Sequence, residues 1–198
     1  MQATSLTFVF AHGAGAPMDS PFMETVAQGL TARGIRVVRF EFPYMAKKRR
    51  GESSGPPDRP AILEACFREV VKAQGVDASQ IAIGGKSLGS RMAAHVADEL
   101  GVRALVAFGY PFFPPKQTST ARLGKLLELK TKALIVQGTR DPFGTREQLS
   151  ALTLPSSITL HFIEDGDHSF KPRKKSGRSE EQNLTEAVTV AADFMLKA

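Results

Sequence analysis

A serine flanked by glycines is the first feature of this 198-residue chain that could carry chemistry. Residues 85–89 have the sequence GKSLG, a G-x-S-x-G pentad centred on Ser87. An apolar run at residues 81–84 precedes the pentad and a helical pattern follows it, which is the context of a nucleophile elbow. In that sharp strand-to-helix turn we expect Ser87 to take a positive φ, with Gly85 and Gly89 leaving room for neighbouring backbone. The alternative interpretation of the pentad alone is a plain turn in which the serine caps the helix.

The same segment also resembles the end of a phosphate-binding P-loop, whose pattern is G-x-x-x-x-G-K-[ST]. That pattern requires a glycine at position 80, where this chain has Gln80. Residues 81–83 are apolar and belong to the predicted strand, so no loop is long enough to wrap a phosphate. We therefore exclude a P-loop.

A candidate base and a candidate acid follow two later strand patterns. His168 lies in a polar turn directly after the apolar run at residues 158–163, and Asp141 follows the run at residues 133–137. Because the carboxyl ends of parallel strands lie at one edge of a sheet, we expect both side chains near Ser87. There His168 would take the serine proton, and Asp141 would accept the Nδ1 proton and fix the tautomer. The chain order Ser, Asp, His is the order found in chains with a nucleophile elbow.

Other residues are weaker candidates for these two roles. His95 lies eight residues beyond Ser87 on the predicted helix, which places it about 12 Å away. His161 lies inside a strand pattern. Asp165 is the fallback acid, and the alternative role of Asp141 is that of a turn or N-cap aspartate before a proline.

Two backbone N–H groups are candidates for stabilising the oxyanion that develops in acyl transfer. One belongs to Leu88, directly after the predicted nucleophile. The other comes from residues 12–17, a loop of mostly small residues with the sequence HGAGAP that follows the first strand pattern. Ala14 is the preferred donor in this loop, with Gly13 as the alternative.

This loop also matches part of the dinucleotide-binding motif G-x-G-x-x-G. Gly13 and Gly15 fit, but Met18 stands where the third glycine is required, and Pro17 alters the loop. Glu41, the acidic residue after the second strand pattern, lies further along the chain than the usual gap of about 20 residues. We therefore expect no dinucleotide, and since no metal-ligand cluster is apparent, we predict no cofactor and no metal.

Alternating strand and helix patterns must hold these residues in place. The strand patterns are short, nearly continuous apolar runs, which are typical of strands buried on both faces of a parallel sheet. They lie at residues 6–11, 35–42, 81–84, 104–108, 133–137 and 158–163, and helical patterns lie at residues 21–33, 60–73, 88–100 and 180–196. We therefore predict an α/β fold, a single domain over residues 1–198 with a minimal, mostly parallel sheet of about six strands and helices on both faces.

Two segments interrupt this alternation. Residues 45–59 are basic and rich in glycine and proline, and we predict a loop at the ligand-binding edge. Residues 111–129 are mixed in composition, with one short helix expected around residues 121–128.

In the helical pattern at residues 60–73, an apolar stripe predicts a buried face that includes the single cysteine. The stripe consists of Ile62, Cys66, Val70 and Ala73.

The composition limits the class of protein. The chain has a net charge of +6, and its basic residues concentrate at residues 47–50 and 171–178. Two interpretations of these runs are open: they form solvated loops, or they form an anion-binding surface. It contains no apolar run of about 18 residues that would span a membrane, and no basic leader that would indicate a signal peptide. One cysteine excludes an internal disulfide and suits a reducing, cytoplasmic location. RNA-binding aromatic patterns and zinc-finger spacings are absent, so nucleic acid is not the expected partner.

Four motifs in this order resemble the compact α/β-hydrolase-like family. They are HGAG at residues 12–15, GKSLGSR at 85–91, GTRDPFG at 138–144 and GDHSF at 166–170. The family includes small bacterial predicted hydrolases, the testis-expressed TEX proteins and the hydrolase-like domain of a subunit of the NSL histone acetyltransferase complex. The resemblance spans nearly the whole chain and implies the α/β-hydrolase fold with the residues above as its catalytic triad. The chain lacks the first two antiparallel strands of larger α/β-hydrolases and has no room for a lid domain.

The expected activity is that of a serine hydrolase of carboxylesterase or thioesterase type on a small or exposed acyl substrate. Basic side chains near the strand ends, including Arg140, would form a positive rim that favours acidic or phosphate-bearing substrates. Predicted substrate contacts are His12, Gly13, Lys86, Arg91 and Tyr110. The alternatives are a non-catalytic interaction module that binds an acidic partner, and perhydrolase or dienelactone-type chemistry on the same triad. A membrane partner is not expected, and the sequence does not determine the oligomeric state.

Overall fold

The structure, a computed structural model, describes residues 6–52, 55–114 and 123–198. These residues form six strands: β1 Thr7–Ala11, β2 Arg36–Phe40, β3 Ile81–Lys86, β4 Ala104–Phe108, β5 Ala133–Gly138 and β6 Ile158–Ile163. The strands make one sheet in the order β2-β1-β3-β4-β5-β6, and every neighbouring pair is parallel. The predicted α/β fold with a parallel sheet is confirmed.

Helices cover both faces of the sheet, as predicted. They are α1 Pro21–Thr31, α2 Pro43–Arg49, α3 Pro60–Lys72, α4 Leu88–Leu100, α5 Gly124–Leu127, α6 Arg146–Ser150 and α7 Glu180–Lys197. On one face α1 and α7 pack over an apolar core that includes Phe8 and Leu30, and on the other α3 and α4 pack over a core that includes Phe67 and Met92. Within residues 6–52, 55–114 and 123–198, no lid domain is present.

The inner strands are buried along their whole length, whereas the edge strands are not. Every residue of β1, β3, β4 and β5 is buried, while β2 and β6 at the two edges are partly exposed. Burial on both faces explains why the inner strands are continuous apolar runs in the sequence rather than alternating ones.

The segment predicted as a loop at residues 45–59 begins as a helix, because α2 includes its first five residues. Pro43 occupies the first turn of α2, where its fixed φ suits a helix and its missing N–H costs nothing. A second short helix, α6, was not predicted, although Thr145 and Gln148 form a capping box at its start. The short helix expected around residues 121–128 is α5, and positions 121 and 122 lie outside the described residues.

The predicted buried stripe of α3 was wrong by one position. The residues buried on this helix are Leu63, Phe67 and Val71. Ile62, which was assigned to the stripe, is 47% exposed, and Ala73 is exposed as well. Leu63 and Phe67 belong to the core, while Cys66 and Val70 of the predicted stripe are partly buried at its edge.

Among the residues that the structure describes, no helix combines the length and apolar character needed to cross a membrane.

Candidate active site

The carboxyl ends of three strands bring the predicted nucleophile, acid and base to one edge of the sheet. Ser87 follows β3, Asp141 follows β5 and His168 follows β6. Ser87 and His168 both line a cavity of about 280 Å³. This is the placement that the order of the motifs along the chain predicts.

Ser87 occupies a strained turn between β3 and α4. Its φ is 53° and its ψ is −112°, so it takes the positive φ expected of a nucleophile elbow. A Cβ on Gly89 would lie 2.5 Å from the Ala11 carbonyl oxygen and 2.6 Å from that of His12, so the turn requires a glycine there. The Ser87 N–H donates to the Phe108 carbonyl at 3.1 Å, which ties the turn to β4. The serine side chain therefore stands at the start of α4, facing the cavity.

His168 and Asp141 form a hydrogen bond between His168 Nδ1 and Asp141 Oδ2 at 2.7 Å. The Asp141 side chain is fully buried, and its other oxygen accepts the Phe143 N–H at 2.8 Å. A carboxylate can only accept, so this contact places the imidazole proton on Nδ1 and leaves Nε2 free to accept a proton. The Phe143 ring packs against the imidazole with their centroids 4.5 Å apart, which further fixes its orientation.

Asp165, the fallback acid, does not bond to His168 in the described structure. Its carboxylate accepts hydrogen bonds from the backbone and guanidinium of Arg173 and pairs with Arg140. The hydrogen bonds from Arg173 lower the pKa of Asp165 to about 2. Asp165 therefore anchors the chain beyond the histidine loop, and Asp141 is the acid in contact with the histidine.

The two candidate oxyanion donors flank the serine. Ala14 and Leu88 line a second cavity of about 340 Å³ together with Ser87, and Ala14 also lines the first cavity. Within the described chain, neither the Ala14 N–H nor the Leu88 N–H donates to another group of the protein. Gly13, the alternative donor, lines the first cavity. Two unengaged N–H groups beside the serine are what an oxyanion requires.

His12 was predicted to contact substrate, and the structure corrects this. The side chain is fully buried; its Nε2 accepts the Phe42 N–H at 3.1 Å, and its Nδ1 donates to the Gly13 carbonyl at 2.7 Å. Burial lowers the pKa of His12, in keeping with a neutral ring that accepts on one nitrogen. The Tyr44 hydroxyl lies 3.0 Å from the Ala14 carbonyl oxygen and donates to the same loop. His12 and Tyr44 thus support the loop that carries the candidate oxyanion donor.

Tyr110 was also predicted to contact substrate, and this too is corrected. It is fully buried, lines neither of the two cavities beside Ser87, and packs with its ring centroid 5.0 Å from that of Phe112. Burial raises the pKa of its hydroxyl. Of the other predicted contacts, Gly13 and Lys86 line the first cavity and Arg91 lines the second.

Ion pairs compensate part of the predicted positive rim. Arg140 donates to the carbonyl oxygens of Asp165 and Lys171 instead of facing the cavity. In the first basic run, Arg49 binds both Asp19 and Glu41. Arg140 also pairs with the Asp165 carboxylate, and these ion pairs join residues that the sequence pattern does not place together.

Sequence reasoning missed the apolar wall of the first cavity. Phe22 and Met23 come from the start of α1, and Phe143 comes from the loop that carries the acid. Phe143 follows Asp141 by two residues and so had a positional signal, whereas nothing in the spacing of α1 indicated that its first turn faces the site. Among the described residues, no group of three or more histidine, cysteine, aspartate or glutamate side chains is arranged to hold a metal.

Comparison with known proteins relates this arrangement to a family. A family model described as an alpha/beta hydrolase domain matches residues 4–196. Similar solved structures include an alpha-beta serine hydrolase homologue from Coxiella burnetii, with 22% identity, a TM-score of 0.74, and coverage of 98% of this chain and 86% of that one. A serine hydrolase without a lid from Xanthomonas campestris has 20% identity, a TM-score of 0.63, and coverage of 93% and 82%. Est1E from Butyrivibrio proteoclasticus, solved with ferulic acid, has 15% identity, a TM-score of 0.68, and coverage of 99% and 90%.

Proposed function

The chain belongs to the α/β-hydrolase family, and we propose that it is a serine hydrolase that cleaves ester or thioester bonds through an acyl-enzyme on Ser87. One observation carries the proposal. His168 lines the cavity that the strained Ser87 also lines, and it is hydrogen-bonded to the fully buried Asp141. Strain at a serine and a carboxylate-oriented imidazole beside it are costly features that acyl transfer uses directly.

The proposed reaction proceeds in two displacements. Ser87 Oγ attacks the acyl carbon while His168 Nε2 takes the hydroxyl proton, and Asp141 stabilises the imidazolium that forms. The N–H groups of Leu88 and Ala14 donate to the oxyanion of the tetrahedral intermediate. His168 then gives its proton to the leaving alcohol or thiol as the bond to the acyl carbon breaks. A water molecule, deprotonated by the same imidazole, attacks the acyl-enzyme, and the second intermediate collapses as His168 returns the proton to Ser87 Oγ, which releases the acid and restores the serine.

The two cavities beside Ser87 suggest where the halves of the substrate bind. The first is lined by Phe22, Met23 and Phe143 and suits an apolar acyl group. Its volume of about 280 Å³ lies near the lower end of the range for small-molecule sites, so we propose a short acyl chain. The second cavity would take the leaving group.

A preference for an anionic leaving group remains part of the proposal, because Arg91 lines the second cavity. Asp58 lines it too, so the preference should be only a few-fold. Phenyl acetate and 4-acetoxybenzoate form a matched pair that differs in one carboxylate. We expect a higher kcat/KM for 4-acetoxybenzoate, and equal values after correction for leaving-group reactivity would contradict this preference.

Hydrolysis of p-nitrophenyl acetate, butyrate and octanoate, and of S-phenyl thioacetate, tests the proposed activity. We expect turnover of the short esters to exceed that of the octanoate. Ser87→Ala should lower kcat by at least about 10⁴-fold, because the nucleophile is removed while the oxyanion donors stay. Ser150→Ala, at an exposed serine on α6, is the matched control and should match the wild type. Turnover that survives in Ser87→Ala would contradict the proposal.

A further inference from the structure

We propose that Lys86 is a positioning residue for the base: its ammonium holds the backbone carbonyl of His168, and Gly109 keeps open the space in which the two groups meet. The inference rests on the proposed function for its kinetic readout, while its structural readout is independent of that function. It reassigns a residue that was predicted to contact substrate.

Lys86 connects the nucleophile turn to the histidine loop. It is the last residue of β3 and directly precedes Ser87, and its Nζ donates to the His168 carbonyl oxygen at 2.6 Å. The side chain lines the first cavity, and its Nζ lies 5.4 Å from the centre of the Phe22 ring. One hydrogen bond thus joins the segments that carry the nucleophile and the base, which are 81 positions apart in sequence.

The ammonium is buried at a cost. Lys86 is only 8% exposed, and among the described residues its charge is compensated at longer range by the carboxylates of Asp141 and Asp167. Burial outweighs these two carboxylates and lowers the pKa of Lys86 to about 8. A methionine would fill the same space without the desolvation penalty of a charge. Fold stability therefore does not explain a lysine here, whereas control over the His168 backbone does.

Gly109 provides a second, independent observation at the same place. Its φ is +64°, and a Cβ there would lie 2.9 Å from Lys86 Nζ, 2.9 Å from the His168 carbonyl oxygen and 3.2 Å from His168 Nδ1. The Gly109 N–H donates to the Val136 carbonyl at 2.8 Å, so the backbone is fixed between β4 and β5. Any side chain at this position would push apart Lys86, the His168 carbonyl and the imidazole.

Two fixed points then define the orientation of His168. Lys86 holds its backbone carbonyl, and Asp141 holds its ring through Nδ1. With both ends held, the direction of Nε2 is set by the fold before substrate binds. Misplacement of a catalytic group by about 1 Å costs on the order of 100-fold in rate, so loss of the lysine contact should act on kcat.

Lys86→Met tests this kinetically. We expect kcat for p-nitrophenyl acetate to fall on the order of 10–100-fold, with KM within a few-fold of the wild type and a thermal unfolding midpoint at least as high. The Lys86 ammonium faces Asp141, Asp167 and the His168 carbonyl, and it loses its proton above about pH 8. The wild-type kcat should therefore decline above this pH, and the Met variant should lack the decline. Lys47→Met, at an exposed lysine of α2, is the control and should leave both constants unchanged.

The results that would contradict this role of Lys86 can be told apart from one another. An unchanged kcat with a raised KM would make Lys86 a substrate contact, and a parallel fall in kcat and unfolding midpoint would make it a structural residue; either overturns the inference. If the wild type cleaves no ester, the proposed function fails, but the Nδ1 proton resonance of His168 still tests the positioning role. We expect it to be sharp in nitrogen-15-labelled wild type and broadened by exchange in Lys86→Met and in Gly109→Ala. An identical resonance in all three proteins would overturn the inference.

Discussion

Asp141 shows how a single carboxylate serves two donors when it is fully buried. One oxygen accepts the Phe143 N–H and the other accepts from His168 Nδ1, so both the loop and the imidazole depend on it. Asp141→Asn keeps the shape but can offer only one acceptor oxygen. The amide would either lose the Phe143 contact or present an N–H₂ to the imidazole, which favours the wrong tautomer.

Asp141→Asn should therefore lower kcat for p-nitrophenyl acetate on the order of 10³–10⁴-fold while the protein remains folded. Stopped assays of kcat, together with circular dichroism of the purified variant, measure the two effects separately. Asp193→Asn, at an exposed carboxylate on α7, provides the control. A kcat within a few-fold of the wild type in Asp141→Asn would show that this carboxylate does not orient the base.

His12 gives the stability of the protein a defined pH dependence. Burial lowers the pKa of His12 below the ordinary value of 6.5, so in acid the unfolded chain takes up a proton that the folded chain resists. The contribution of His12 to the free energy of unfolding is therefore fully present above pH 6.5, and it is lost as the pH falls below this value. Urea unfolding at pH 7.5 and 5.5 should show this loss in the wild type and a smaller loss in His12→Gln. Equal losses in the two proteins would assign the pH dependence to other groups.

At the scale of elements, the turn between β3 and α4 depends on the absence of side chains. A Cβ at position 89 would press on the backbone oxygens of Ala11 and His12, which cannot move without disturbing β1 and the oxyanion loop. The glycines of the pentad thus allow the nucleophile helix to pack directly against the central strands.

Gly89→Ala should destabilise the fold by about 1–3 kcal/mol, the usual cost of overpacking a buried site. Gly124→Ala is the matched control, because a Cβ at Gly124 meets no atom within 4 Å. Chemical denaturation of both variants measures the difference. If Gly89→Ala were as stable as Gly124→Ala, the close approach of α4 to β1 would be refuted.

The sequence predicted those elements whose pattern is set by burial on both faces. The predicted ends of the inner strands β1, β3, β4 and β5 lie within two residues of the observed ends, because burial on both faces makes each strand a continuous apolar run. The helix α2 was missed because its seven residues end in three basic ones and bury only the adjacent Tyr44 and Met45, which form no apolar stripe. The register of α3 was wrong because two adjacent apolar faces compete, and contact with the sheet decides between them.

The same distinction applies to the site. Ser87, Asp141 and His168 were predicted from their positions at strand ends, which topology alone brings to one edge. The roles of His12 and Tyr110 were not predictable, because whether a ring near a strand end faces a cavity or the core depends on neighbours from distant segments. Lys86 differs again: a lysine beside a nucleophile suggests an exposed charge, and only the packed structure shows its ammonium turned inward onto the His168 carbonyl.

At the scale of the whole molecule, the sheet provides a rigid base, and the loops at its carboxyl edge carry the residues that we propose as catalytic. The proposed nucleophile, acid and base each come from a different strand end, and the loop with the candidate oxyanion donor comes from a fourth. Two cavities are lined by Ser87, and in the proposed function one takes the acyl group and the other the leaving group. Part of the positive charge near this edge is compensated, because Arg49, Arg140 and Arg173 form ion pairs with nearby carboxylates.

Covalent labelling by a fluorophosphonate probe, read by intact mass and peptide mapping, tests the central claim most directly. The probe reacts with a serine that has been activated by a base, and it needs no knowledge of the natural substrate. We predict a single adduct on Ser87 in the wild type, none in Ser87→Ala, and labelling in His168→Ala that is slower by several orders of magnitude. An adduct on another residue, or labelling that persists in Ser87→Ala, would contradict the assignment of Ser87 as the nucleophile.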